Sequence, residues 1–504
     1  MSFTFTVTVP PPPLPALSGF MTSAAATQRA ALRAAHTIGT GEGGFTGFTS
    51  RTGFTTVVVT SATALVTALN AMSLNDKKIF KCQWNGVSNP ASYTITGPGN
   101  ASMTPNALVD WGYNRPVMAS IIEPDTGYTP AIGIASGTTG LSFSGTHWHE
   151  FNDMKFTGDV EFGPTPGYRN GIAIVAMNRC DIQGSLTTTT IRTLHMDGCS
   201  SSGSAMVMEI RANYFRCWNH KDTLHTNALD FCHAYGLNGS YAAGWKFNIW
   251  FAGITLQKMV PVTSGNHFDW LQYSIAGETG LGYNILVEYC VVNANSEDSQ
   301  NVFTASKVTG HTNNILIHNS IFALNAYQSV GLIDPSGAGT MIVDRLLTLR
   351  AALGPGPVTG VATPPATDSK PYIGAVGSNV NAGGSVQVTN SYFWKSPGTE
   401  IILGDTATGD GVAVPITVSG NVMVQPHSAG VSPNRPQDLF TGPFTFTTND
   451  SGFLRYTDPT AGISDPVAAN TAFLAFVKPK AGWGVNAGPR DPATWPTQFD
   501  RVIT

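Results

Sequence analysis

The chain has 504 residues, of which only 12% are Asp, Glu, Lys or Arg, about half the usual share of roughly 25% in soluble proteins. With 27 basic against 31 acidic residues the formal net charge is −4, so no bulk positive field draws in nucleic acid. The 54 glycines and 32 prolines fall short of the roughly 25–30% combined share that signals disorder, and 42% hydrophobic residues are enough for a packed core.

Residues 1–50 read as an arm. A polar-aromatic stretch, FTFTVTV, runs into Pro10-Pro-Pro-Pro-Leu-Pro15, extended chain without internal hydrogen bonds that gains order by packing on a partner. The first basic residue is Arg29 and no apolar h-region precedes it, so an export leader of the secretory kind is not expected. No apolar run reaches the roughly 18 residues of a membrane helix, and no membrane insertion is expected. Gly39-Thr-Gly-Glu-Gly-Gly44 lacks the Lys of a phosphate loop and reads as a turn.

Residues 51–145 read as a beginning. Thr56-Val-Val-Val-Thr-Ser61 leads into an amphipathic helix, Ala62 to Met72, with Ser61 as N-cap and Leu65, Leu69 and Met72 on one face. Such a helix plugs the open end of a stack of strands. Lys78-Ile-Phe-Lys-Cys-Gln-Trp84 is then expected as the first strand.

The body, 146–427, repeats itself. Asn284-Ile-Leu-Val-Glu-Tyr-Cys-Val-Val292 aligns without gaps on Asn314-Ile-Leu-Ile-His-Asn-Ser-Ile-Phe322, a spacing of 30 residues that lies in the range of coiled repeat architectures. Looser copies surround Asn178, Asn390 and Asn421, each a period-two apolar alternation, an Asn, then a second alternation. Period two is a strand signal, and Asn tolerates the left-handed backbone that a sharp bend needs. Segments starting at His225, His267 and Ser299 read as a further strand of each coil. The expected fold is all-β: a right-handed parallel β-helix with an N-terminal capping helix and irregular extensions at both ends. Residues 341–350, MIVDRLLTLR, are expected as a short helix opening an insertion over 341–385, and 428–504 as a C-terminal cap or contact region. The six cysteines, at 82, 180, 199, 217, 232 and 290, lack metal-site spacing and read as buried thiols.

The order of the capping helix, Lys78–Trp84, Arg115-Pro-Val-Met-Ala-Ser-Ile-Ile-Glu-Pro-Asp-Thr-Gly127 and the Asn-centred repeats resembles the pectate-lyase-like superfamily of right-handed parallel β-helices. That group includes polysaccharide lyases, glycoside hydrolases and bacteriophage tailspikes, and the opening most resembles the alginate-lyase and chondroitinase-B type. His267-Phe-Asp-Trp-Leu-Gln272 is similar to the H-x-D-x-x-Q strand of bacterial and phage members. The basic catalytic pair of the family lyases is not evident: Arg211, Arg216, Lys221, Lys246, Lys258 and Lys307 are the nearest candidates.

Acidic, His and Trp residues concentrate between 209 and 272. Stacking 225–231 on 267–273 would set His225 over His267, Asn227 over Asp269 and Asp230 over Gln272. Glycoside hydrolysis needs two carboxylates about 5–5.5 Å apart for retention or about 6.5–9.5 Å for inversion. Asp230 with Asp269 is the preferred pair, with Asp222 or Glu209 as substitutes and His225 or His267 tuning proton transfer. Trp218, Trp250, Trp270 and Gln272 are candidate substrate contacts, the alternative for the polar residues being a structural ladder and for the indoles a place in the core. His147-Trp-His149 is a poor match to a closed metal site, so no metal and no cofactor is expected. The leading reading is a phage-type virion protein, a homotrimeric tailspike or fibre subunit. It would dock other virion proteins through residues 1–50 and bind cell-surface polysaccharide, whether or not it also cleaves it. A free, extracellular polysaccharide-degrading enzyme and a purely structural decoration protein are the alternatives.

Overall fold

The computed structural model describes residues 21–35, 48–96, 118–162, 174–222, 232–236, 246–258, 270–304, 312–333, 339–353, 371–374, 385–394, 403–404, 416–424, 442–445, 454–478 and 488–495, apart from short gaps within these spans. The described residues are mostly strand, and the strands stack in parallel. Over most of the stack a strand pairs with the third strand further along the chain, so three columns rise together. Thr55–Val59, Lys77–Cys82, Met118–Pro124, His147–Asn152 and Ile174–Asn178 begin the first column. Gly86–Ser88, Pro130–Ile132 and Lys155–Phe156 begin the second, and Thr94–Thr96, Gly140–Ser144 and Asp159–Phe162 the third.

The anticipated register is present where the copies are longest: Asn284 pairs with Asn314 and Ile285 with Ile315, and Val386 pairs with Ile416. The period itself is not constant. Asn178 pairs with Asp197, 19 residues on, whereas Asp344 pairs with Thr389, 45 residues on. Length differences fall between the strands, where added chain costs little order.

Alternation along each strand sends one set of side chains inward. Phe143, Phe151, Phe156 and Phe162 form one continuous interior with Ile249, Phe251, Ile285, Val287, Ile315 and Ile317, with rings such as Phe143 and Phe162 at 5.0 Å. The helix α2 (Ala62–Asn70) buries Leu65, Val66 and Leu69 against the first-coil residues of this interior. Ser61 caps it, its Oγ accepting from the Ala64 amide at 3.1 Å. One expectation is corrected here: Lys77–Cys82 is the second strand of its column, because Thr55–Val59 already pairs with it, and α2 is the crossover between them.

From His147–Asn152 onward, the bend that ends the described first-column strands has a single backbone solution. Asp153, Arg179, Gly198, Gly253, Tyr289, Asn319, Arg345, Asn390 and Gly420 occupy equivalent places on successive coils, all with φ between 48° and 67°. Asn was thus read correctly as a bend residue at 390, but Asn178 stands one place before its bend and Asn421 one place after. Side chains other than Asn and Gly at this column carry a local strain that the coils above and below over-determine.

Two helices clad the stack from outside. The helix α1 (Ser23–Ala35) lies on the outer face of the first column, packing Ala25 and Leu32 on Trp250, Leu286, Leu316 and Ile342. Further along, Phe48 stacks on Trp148 at 6.4 Å and Arg51 makes a two-pronged bond, 2.7 Å on each arm, to Glu123. The described part of the N-terminal arm therefore runs down its own coils, while residues 1–20 lie outside the described residues. The helix α3 (Pro466–Phe476), capped by Asp465, lays Phe473 and Phe476 on Val291, Ile321 and Leu347 of the second column.

This cladding corrects the expectation for 341–350. Thr340–Leu349 is a strand, paired with Ile315–Ala323 below and Ser385–Thr389 above. Its apolar run has helix-like spacing because both faces are buried: Met341, Val343 and Leu346 point inward while Ile342 meets α1 and Leu347 meets α3. A strand covered on both sides loses its alternation. Cys82, Cys180, Cys199 and Cys290 are free and buried, as read from the sequence; the side chains of Cys217 and Cys232 lie outside the described residues.

Candidate functional site

The fold presents its outward-facing chemistry at the corner where the first column bends into the second. There α3 and the 492–494 turn stand off from the coils and leave a cleft of about 320 Å³. One wall is aromatic: the half-buried Trp495 indole meets the buried Tyr289 ring edge-on at 5.9 Å. Trp495 packs against both outer clusters, joining the cladding of α1 to that of α3. The floor holds Asn219 and Thr255 of stacked second-column strands, the Thr255 hydroxyl donating to Asn219 Oδ1 at 2.9 Å. The opposite wall is one face of α3, Val467, Asn470, Thr471 and Leu474, spaced as i, i+3, i+4 and i+7. Thr471 returns its hydroxyl to the Val467 carbonyl at 3.0 Å. Asn470 Oδ1 is buried and accepts no hydrogen bond. None of the described lining residues is charged.

Behind Tyr289, ionisable groups stack on consecutive coils beneath α1. Glu288 is fully buried, its Oε2 accepting from Arg29 Nε of α1 at 2.5 Å and bonded to His318 Nε2 at 3.0 Å, while Oε1 accepts from Trp250 Nε1 at 3.0 Å. Burial by itself pushes this carboxyl up, but the Arg29 charge and the His318 bond outweigh it and hold it down at about 2. On the next coil, Asp344 Oδ1 accepts from Thr389 at 2.7 Å and Asn390 at 3.2 Å. Arg33 of α1 lies 5.3 Å from the Trp250 ring centre. The cluster is roofed over by α1, with Arg29 Nη2, His318 Nδ1 and Asp344 Oδ2 buried without a hydrogen-bond partner, and its arrangement is that of a fastener for α1.

No family model and no curated protein matches this chain. A solved structure of a PL6-family alginate lyase is similar to it at 12% sequence identity with a TM-score of 0.31. That match covers 88% of this chain and 60% of the lyase, so the chain spans less than two thirds of that neighbour's length.

Of the residues expected to carry chemistry, Trp218, Trp250 and Trp270 have described side chains. Trp218 and Trp270 are wholly buried in the interior, Trp270 within 5.4 Å of Phe251 and 5.3 Å of Phe322, so neither offers a face to a sugar. Trp250 points outward but is covered by α1. Gln272 pairs with His233 in a register three residues away from the anticipated partner, Asp230. The shift arises because nothing local sets the length of the connection. Asp222 and Gln272 have described backbone only, and His225, Asp230, His267 and Asp269 lie outside the described residues. His220 is an interior residue, its Nδ1 bonded to Ser201 Oγ at 2.7 Å, the same hydroxyl that accepts from Trp218 Nε1 at 2.8 Å. His149 is likewise interior, bonded to Ser120 at 2.7 Å. Lys221 spends its ammonium on the Thr460 and Ile463 carbonyls of the C-terminal segment at 2.9 and 2.6 Å. Sequence reading missed the cleft. The signals present were Tyr289, an aromatic at a bend position that other described coils fill with Asn, Gly, Asp or Arg, and the i, i+1 pair Asn470-Thr471 interrupting an otherwise apolar helix face.

Proposed function

We propose that this protein is a right-handed parallel β-helix that binds polysaccharide at the corner cleft, in the setting of a virion spike. The reading rests on the cleft: an aromatic wall with amide and hydroxyl side chains, and no charged residue among the described lining, is the recognition chemistry of sugars, whose rings have apolar faces and a rim of hydroxyls. The hand follows from the general rule that crossovers between parallel strands are right-handed in about 98% of cases. The spike setting is supported by the sequence of residues 1–20, whose Pro-rich extended chain suits packing on a partner.

Glycan binding by the full chain, compared with Trp495→Phe and Asn470→Ala, tests the site. Retained thermal stability with lost binding is expected, and binding unaffected by both variants refutes the assignment. The mass of the native assembly tests the homotrimer. Incubation with bound polysaccharide tests cleavage, with Asp230→Asn and Asp269→Asn abolishing depolymerisation if those residues form a hydrolytic pair.

A further inference from the structure

At its C-terminal end the stack of coils stops with part of its core in water. We infer that residues 3–9, the strand-like start of the N-terminal arm, add as a further strand to Ile416–Ser419 and close this end of the stack; the inference stands apart from the polysaccharide reading above.

The edge is visible in its exposure. Val343 and Val388, which Val418 continues in register, are wholly buried in the interior, whereas Val418 is 44% exposed and Thr417, Ser419 and Gly420 are exposed beside it. An inward position of the core therefore meets solvent. The backbone is aimed the same way. Ser419 O accepts from the Asn390 amide of the coil below at 3.0 Å, and successive residues of a strand turn their amide groups to opposite sides, so the Val418 N–H and C=O face away from that coil. An edge of this kind is a template for one more strand.

Three properties choose the occupant. The first is pattern. Phe3-Thr-Phe-Thr-Val-Thr-Val9 alternates apolar and hydroxyl residues without a break, as Thr417-Val-Ser419 does, so a strand in register lays Phe or Val over Val418 and Thr over Thr417 and Ser419. The coils below stack like on like in the same way, Asn248 under Asn284 under Asn314. The second is position. The helix α1 runs against the climb of the coils: Arg33 lies over Trp250, Arg29 bonds Glu288 one coil on, and Gln28 donates to the Thr340 carbonyl, at 3.1 Å, two coils further. The arm thus leaves α1 at the level of Thr340–Leu349, two coils short of Ile416–Ser419, a climb of about 10 Å at about 4.8 Å per coil. Residues 10–20 reach up to about 36–40 Å when extended. The opposite end of the stack, Thr55–Val59, lies ten pairings away, about 48 Å, and is out of range of its own arm. The third is the nearest competitor. The chain that follows the last coil, 425–441, carries Pro426, Pro433 and Pro436, each without the N–H that a ladder needs, and no apolar alternation between them.

The first test compares hydrogen exchange in the full chain and in a variant lacking residues 2–9, read by mass spectrometry over fragments that isolate Val418. Expected is a Val418 amide about tenfold or more slower in the full chain, the scale of one or two backbone hydrogen bonds, with Gly282–Glu288 alike in both. The double variant Phe5→Asp, Val7→Asp keeps the arm's length but sets charge over the core, and should exchange as the truncation does. The second test combines Thr417→Cys with Thr4→Cys, Thr6→Cys or Thr8→Cys and oxidises each pair with a small-molecule disulfide. At least one pair should give a cross-linked monomer, identified by peptide mass. A cross-linked dimer in its place makes a second copy the occupant and overturns the seating on the arm's own chain. Equal Val418 exchange with and without residues 2–9, and no cross-link to position 417, overturns the inference and leaves glycan binding at the corner cleft untouched.

Discussion

Replacing Glu288 with Gln should unfasten α1 without disturbing the coils beneath it. The carboxyl is held at about 2 against an ordinary value of 4.5, a difference of about 2.5 units, which at 1.36 kcal/mol per unit corresponds to about 3 kcal/mol of preference for the ionised form in the folded arrangement. Breaking one side of a buried ion pair costs about 3–5 kcal/mol by general experience, because the partner, here the largely buried Arg29, keeps its charge and loses its counter-charge. The two figures agree, and both belong to the local equilibrium in which α1 lifts from Trp250, Leu286, Leu316 and Ile342. Local opening is read by amide hydrogen exchange over 23–35. At pH 7 the Gln variant should exchange about a hundredfold faster there, with interior strands such as Gly282–Glu288 much less affected. The pH dependence has a definite sign. A depressed folded-state value means the stabilisation is complete above 4.5 and is lost as pH falls from 4.5 through about 2. Protection of α1 in the native protein, corrected for intrinsic rates, should therefore decline over that window, whereas the variant should show no such decline. Unchanged exchange in Glu288→Gln, or parallel pH profiles for the two proteins, would refute the account of Glu288 as a fastener.

Trp270→Ala should destabilise the protein by about 3–5 kcal/mol, the usual cost of deleting a large buried ring, and leave glycan affinity unchanged under conditions where the variant is folded; denaturant titration alongside the binding assay separates the two, and selective loss of binding would return Trp270 to the site. Gly184→Ala should fail to fold or be strongly destabilised, since a Cβ there would stand 2.2 Å from the Gly158 carbonyl carbon; Gly86→Ala, with open space around it but φ at 72°, should cost only about 1–2 kcal/mol, and comparable soluble yields of the two variants would contradict this. The thiols of Cys82 and Cys290 should resist alkylation in the native protein at pH 8, because burial pushes both up, Cys82 to about 12; rapid labelling of either, read by mass spectrometry, would count against their burial.

Much of this architecture is local and repetitive, and for that reason legible in one sequence. Alternation within Asn284–Val292 and Asn314–Phe322 announced strands, their ungapped alignment announced the pairing of Asn284 with Asn314, and Ser61 announced the start of α2, because each depends on neighbours in the chain or on an in-register copy of itself. Low charge belongs to the same pattern: side chains that stack on their own kind, such as Asn248, Asn284 and Asn314 at 2.9 and 3.1 Å, satisfy one another without ions. Which outer face is covered, and by what, follows no such rule. Arg29 meets Glu288 across 259 residues of chain, and Tyr289 meets Trp495 across more than 200, so the buried state of Trp250, the strand at Thr340–Leu349 and the cleft itself were decided only when the two ends folded back along the coils. Stacking fixes each coil on the next, but cladding is a contact between segments whose sequences carry no copy of one another.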